Sequence, residues 1–143
     1  MTREDLQVTA ENYVKAWQGR DPVAIAQHHA PDGVMESPIY STLQGRKAIE
    51  DAARSFFTSF PDARLTIDAL IVDVPRVAVF TTMDGKHVND FFGMPGTNRH
   101  LEFRNAWLLE MNDDLLIAFG RRIYDFTGLL LQVGILRAKP AKP

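Results

Sequence analysis

The chain has 143 residues, is 45% hydrophobic and 24% charged, carries a formal net charge of −2 and contains no cysteine. That length supports one domain with a sizeable core. The missing cysteines exclude disulfides and thiolate metal sites, and without a clustered positive face nucleic-acid binding is not expected. No run reaches the ~18 apolar residues of a membrane-spanning helix, and the opening MTREDLQ lacks a signal peptide's apolar core. The expected compartment is therefore the cytoplasm, with no membrane partner.

In chain order, Thr2 with Asp5 resembles a capped helix start. Leu6, Ala10, Tyr13, Val14 and Trp17 then share one helical face, and Gly19 ends the helix. Asp21-Pro22 opens a short second helix. Val34 to Glu36 reads as a short strand ended by Pro38. Gly45 precedes a third helix with Ile49, Ala52, Ala53, Phe56, Phe57 and Phe60 as its buried stripe, and Pro61 stops it.

Beyond Pro61 the period changes from 3.6 to 2. Leu65, Ile67, Ala69 and Ile71 alternate as one face of a strand. After a turn at Pro75 a second strand runs from Val77, predicted to extend toward Phe91. Gly93 to Asn98 is loop. Leu101, Phe103, Asn105, Trp107 and Leu109 form the next buried face, with one amide among its apolar residues. A buried amide must find hydrogen-bond partners, so Asn105 either braces the core or points into a cavity that holds a polar ligand. A turn at Asn112 to Asp114 leads to a last strand from about Leu115 to Tyr124, and Gly128 to Leu136 reads as a buried helix. Residues 1–138 form a single predicted domain, with Lys139 to Pro143 a disordered tail. Helices first and long strands afterwards make an α+β fold: a cone-shaped, curved antiparallel or mixed sheet with the N-terminal helices on its concave face.

Several stretches resemble one known group. They are Asn12 to Trp17 in the first helix, Val34 to Pro38, the run Asp90 to Arg99, and the ending Asp125 to Gly134. Together they resemble the SnoaL-like polyketide cyclase branch of the nuclear-transport-factor-2-like superfamily, whose relatives include ketosteroid isomerases and limonene epoxide hydrolases. The resemblance covers roughly Leu6 to Leu136. It implies the cystatin-like cone, cofactor-free chemistry in its cavity, and homodimers formed sheet to sheet. It also implies an oxyanion-donor role for Tyr13. Ser37 stands where ketosteroid isomerases carry a general-base aspartate, and Trp107 falls at their second oxyanion donor. Arg122 stands where the cyclases and epoxide hydrolases carry a working aspartate. Asp125, three residues on, matches a second acid. The scaffold is kept and the familiar acids are replaced.

Enolate or aldol-type chemistry needs a base near a carbon-bound proton and a donor for the developing oxyanion. The candidate catalytic residues are Tyr13 as donor, with Glu36 and His87 as bases. Tyr13 reads equally as a core tyrosine bonded to a neighbour, Glu36 as a surface ion pair, and His87 as a structural histidine. Glu36 and Ser37 point to opposite faces of a regular strand, so only one enters a cavity. Candidate substrate-binding residues are Trp17, Phe57, Phe60, Asn89, Phe91, Asn105, Trp107, Arg122 and Tyr124. His87, Asn89 and Phe91 share a face if their strand persists. Arg122 shares one with Gly120, Ala118 and Tyr124, and if that face is concave it is salt-bridged, with Glu36, Asp90 and Asp125 as possible partners, or binds an anion. The aromatics read as a pocket for a flat ligand or as plain core. Adjacent His28 and His29 cannot share a helix face as ligands, so no metal is expected, and no phosphate loop or nucleophile elbow is present.

Three functions follow. One is a cofactor-free cyclase or isomerase acting on a small hydrophobic carbonyl compound. Another is a binding module of the same fold that has lost its acids. The third is an assembly module with a vestigial cavity.

Overall fold

The computed structural model describes residues 1–139. Helix α1 (Arg3–Gln18) opens with a capping box: the Asp5 amide donates to Thr2 Oγ1 and the Thr2 amide to Asp5 Oδ2. Helix α2 (Pro22–Gln27) is capped by Asp21 and leads directly into β1 (His29–Ser37). A hairpin strand β2 (Ser41–Gln44) precedes α3 (Gly45–Ser59). Then come β3 (Arg64–Asp73), β4 (Arg76–Lys86), β5 (His100–Met111), β6 (Ile117–Ile123) and α4 (Phe126–Gln132).

The six strands form one open sheet in the order β2-β1-β6-β5-β4-β3. All neighbours are antiparallel except β1 and β6. Helix α1 packs on β3 and β4, and α3 on α2, β1 and β2. The inner face carries Val77, Val79, Thr81 and Met83 from β4 and Leu101, Asn105, Trp107 and Leu109 from β5, all buried. The predicted α+β architecture, with helices on one face of a mixed sheet, is the one observed. Among the described residues no helix is long and apolar enough to cross a membrane.

Four local expectations are corrected. In β3 a bulge between Ile67 and Ala69 reverses the alternation. Leu65 is therefore buried, while Ile71 is 57% exposed and Leu70 and Val72 pack against the core instead. Strand β4 stops at Lys86. Beyond it the His87 amide donates to the Arg99 carbonyl and the Asn98 amide to the His87 carbonyl, and the chain then turns away. That separates Asn89, which is exposed, from buried His87 and Phe91, so the three share no face. In β6 a bulge beside Met111 leaves Ala118 exposed and out of phase with Gly120, Arg122 and Tyr124. Helix α4 begins two residues before the expected start, because the Asp125 carboxylate accepts the Gly128 amide, and it stops before Gly134, which sits at φ 79°. The predicted strand Val34 to Glu36 is the end of the longer β1, and β2 had no signal strong enough to read. Of the tail, Lys139 lies in no regular element, and residues 140–143 lie outside the described residues.

Candidate functional site

Strands β5 and β6 place Trp107 opposite Arg122 on the inner face. Helix α1 sets Trp17 and Tyr13 above them, four residues apart and so on one side of the helix. The Arg122 guanidinium carbon lies 4.3 Å from the Trp17 ring centre and 5.5 Å from that of Trp107. Its Nη2 donates to the Tyr13 hydroxyl at 3.2 Å.

The same hydroxyl lies 3.0 Å from His29 Nε2. Arginine only donates, so the Tyr13 oxygen accepts from it and the tyrosine proton is left for the imidazole. His29 is suited to accept. Burial first, then the charges of Arg122, His28 and Arg46, bring its pKa from 6.5 down to about 3, so the ring is neutral at pH 7. Arg46 is held nearby, its Nε donating to the His29 carbonyl at 2.8 Å. Counting bonds therefore orders the chain as Arg122 to Tyr13 to His29, with the remaining ring proton on Nδ1, which has no partner.

Arg122, Trp17 and Trp107 form the floor of a cavity of about 40 Å³. Its other walls include Ser37, Asn105 and Met83 from the sheet, and Ile49, Ala53 and Phe56 from α3. Ile39, Tyr40, Leu43, Phe103 and Tyr124 are half-buried and complete the lining. Ser37 answers the question of which β1 residue turns inward. Its Oγ lies 3.0 Å from the Tyr124 hydroxyl and accepts the Ile39 amide. Burial raises the Tyr124 pKa, so the phenol stays protonated. The volume suits about three waters. The expected hollow for a larger apolar guest is mostly filled by the protein's own aromatic rings, so such a guest is admitted only if the half-buried side chains yield.

The structure brings together Trp17, Asn105, Trp107, Arg122 and Tyr124 around this cavity, with Tyr13 directly behind the arginine. It does not bring in the rest. Glu36 faces the outer side of the sheet and pairs with Arg121 at 2.7 Å, both partly exposed, because β1 and β6 set these residues side by side. His87 is fully buried against Phe60 and Phe91, with Nδ1 3.0 Å from Thr97 Oγ1. Phe57, Phe60 and Phe91 pack in the core outside the cavity lining. Asn89 is exposed, and its amide donates to the Thr58 carbonyl at 2.9 Å. His29 was missed as a site residue. Read as a metal ligand it had no geometry, and its link to Tyr13 arises only when β1 leaves α2 toward the sheet. Neither Asp, Glu nor His lines the cavity, and among the described residues no group of three or more His, Asp or Glu gathers.

The chain matches the family described as SnoaL-like polyketide cyclase over residues 7–133. No curated protein matches it. Among solved structures, AclR from Streptomyces galilaeus, provisionally named a hydroxylase, is similar with a TM-score of 0.83 at 20% identity, over 95% of this chain and 100% of its own. TsrD from Streptomyces laurentii gives 0.82 at 24% identity, over 95% and 99%. A protein of ketosteroid-isomerase-like fold from Catenulispora acidiphila gives 0.73 at 21%, over 88% and 92%. At these identities the likeness establishes the fold. The family match spans almost the whole of the folded chain, and the protein belongs to the SnoaL-like polyketide cyclase family.

Proposed function

We propose that the protein is a cofactor-free enzyme of the cyclase or isomerase type, acting on a small hydrophobic carbonyl compound through its enolate. The observation that supports this most is a guanidinium, held by Tyr13, set in the wall of a mainly apolar cavity. Arg122 polarises the carbonyl oxygen and holds the negative charge that develops when an α-proton leaves. Tyr13 positions that arginine, in place of donating to the substrate itself. The enolate carbon then attacks a second carbonyl of the same molecule, one C–C bond forms, and the new alkoxide takes up a proton.

Among the described residues the cavity wall offers no carboxylate or imidazole as base. The reading therefore suits a carbon acid already made stronger by two flanking carbonyls, whose proton passes to water. The same observation favours one alternative, a non-catalytic binding module of this fold. Exchange of α-protons for deuterium separates the two. A 1,3-dicarbonyl compound in D2O is followed by NMR with the full chain and with Arg122→Met. Enzyme-dependent exchange that the substitution abolishes is expected. Binding without exchange would assign the module instead. We also infer a homodimer through the outer sheet face, where Phe80, Ala106 and Ile123 are aligned across β4, β5 and β6 and Phe80 and Ile123 are 42% and 61% exposed. Light scattering at micromolar concentration tests it, with a monomer as the refuting result.

A further inference from the structure

Among the described residues Arg122 is a cation with no counter-ion. Among the described residues the ion pairs join Lys47 to Asp51, Arg54 to Glu50, Arg64 to Asp84 and Arg121 to Glu36, and none reaches Arg122. Its Nε is buried without a partner. So are the indole Nε1 atoms of Trp17 and Trp107, the two rings it lies against. Three N–H donors of residues that line the cavity thus have no acceptor among the described residues. Arg122 is part-buried, and stacking on two indoles holds its guanidinium without supplying any negative charge. His29, kept neutral, supplies no compensating negative charge and adds no second positive one.

One polar group of the opposite kind faces the same space. Asn105 is 93% buried, lines the cavity, and its Oδ1 has no donor. Its strand neighbours leave that oxygen unclaimed: Thr81, directly across on β4, gives its hydroxyl to the Asn105 backbone carbonyl. The cavity lining thus carries one positive charge and no negative one, together with an amide oxygen that has no donor among the described residues.

We propose that the cavity is an organic-anion site whose ligand is a planar monoanion: a carboxylate, or an enolised dicarbonyl oxygen pair, with an adjacent hydroxyl. The anionic oxygens accept from the Arg122 guanidinium, and the hydroxyl donates to Asn105 Oδ1. The flat body is larger than the resting cavity of about 40 Å³ and enters as the half-buried Phe56, Phe103, Leu43 and Ile39 yield. This rests on reading the cavity as the ligand site. It adds that the ligand is charged before any chemistry begins, because Arg122 lines the cavity with no carboxylate among the described residues beside it.

The test uses 2-hydroxybenzoate, benzoate and methyl 2-hydroxybenzoate with the full chain, by isothermal titration. The two tryptophans of the sequence, both in the cavity lining, provide a second readout by fluorescence. The 2-hydroxy acid is expected to bind at least tenfold more tightly than its neutral ester, and more tightly than benzoate. Arg122→Met should erase the preference for acid over ester, Arg122→Lys should keep part of it, and Asn105→Leu should remove only the advantage of the hydroxyl. Circular dichroism establishes that each variant is folded, and the comparison of three ligands on the unmodified protein stands even if a variant is not. Equal affinity for acid and ester, no binding of any probe at millimolar concentration, or displacement of the acid by chloride or phosphate at equal concentration would overturn the proposal. Acid-selective binding without deuterium exchange would leave this site standing and sink the enzymatic reading. Exchange on neutral ketones without acid selectivity would do the reverse.

Discussion

Replacing His29 with glutamine tests the electrostatics of the site through folding stability. In the folded protein this imidazole titrates near 3, against 6.5 for the ordinary ring. Between those values the unfolded chain binds a proton that the native state refuses, so stability falls as pH drops through 6.5 and continues to fall toward 3. At about 1.36 kcal/mol per pH unit, with curvature near 6.5, the loss between pH 7 and pH 5 is about 2 kcal/mol. Glutamine offers an amide oxygen to the Tyr13 hydroxyl and does not titrate. Urea unfolding of both proteins at the two pH values gives the difference directly, since the shared carboxylates contribute equally to each. The unmodified protein should lose about 2 kcal/mol more than His29→Gln over this range. Equal losses would show that the folded ring accepts a proton despite its burial and three cationic or basic neighbours, and the ordered chain from Arg122 to His29 would then be wrong.

Arg122→Met should raise the pKa of His29, because one of the charges that depresses it is gone. The titration of the His29 ring resonances measures this, and an unchanged or lower pKa would contradict the assignment. Glu36→Gln should change stability by less than about 1 kcal/mol, as for other partly exposed ion pairs, and leave the affinity for 2-hydroxybenzoate untouched; a tenfold loss would move Glu36 into the site. In Gly96→Ala the added methyl would run into the Val88 backbone carbonyl, which cannot rotate away like a side chain. Destabilisation of about 2 kcal/mol or more is expected, with faster hydrogen exchange at the Phe91, Met94 and Asn98 amides that tie this loop together; slow exchange at all three would count against it.

The helices and the β5 face were legible because they rest on local periodicity. Leu6 to Trp17 obeys a 3.6 repeat, and Leu101 to Leu109 a repeat of 2, with Asn105 standing out as the one amide on a buried face. The shared face of Gly120, Arg122 and Tyr124 followed from the same rule. What failed was anything that changes phase or depends on distant partners. A single inserted residue in β3 turned Ile71 outward, and no local signal marks that bulge. Whether Glu36 or Ser37 enters the cavity depends on the pairing of β1 with β6, which periodicity does not reveal. The bond from Arg122 to Tyr13 spans 109 residues. Types alone left Arg122 with Glu36, Asp90 and Asp125 as eligible partners. Glu36 is instead taken by Arg121 on the outer face, and Asp125 caps α4.

The parallel pairing of β1 with β6 has a kinetic meaning. The contact between Ser37 and Tyr124 joins positions 87 apart, and Val34 lies beside Phe119. Such distant pairings pay their loop-closure entropy before they return any stabilisation, and they slow folding. On the ribosome, α1, α2, β1 and α3 emerge well before the strand that completes their sheet. The cavity around Arg122 is therefore among the last parts of the molecule to exist, assembled when residue 122 reaches an indole and a phenol that have been waiting since the first helix.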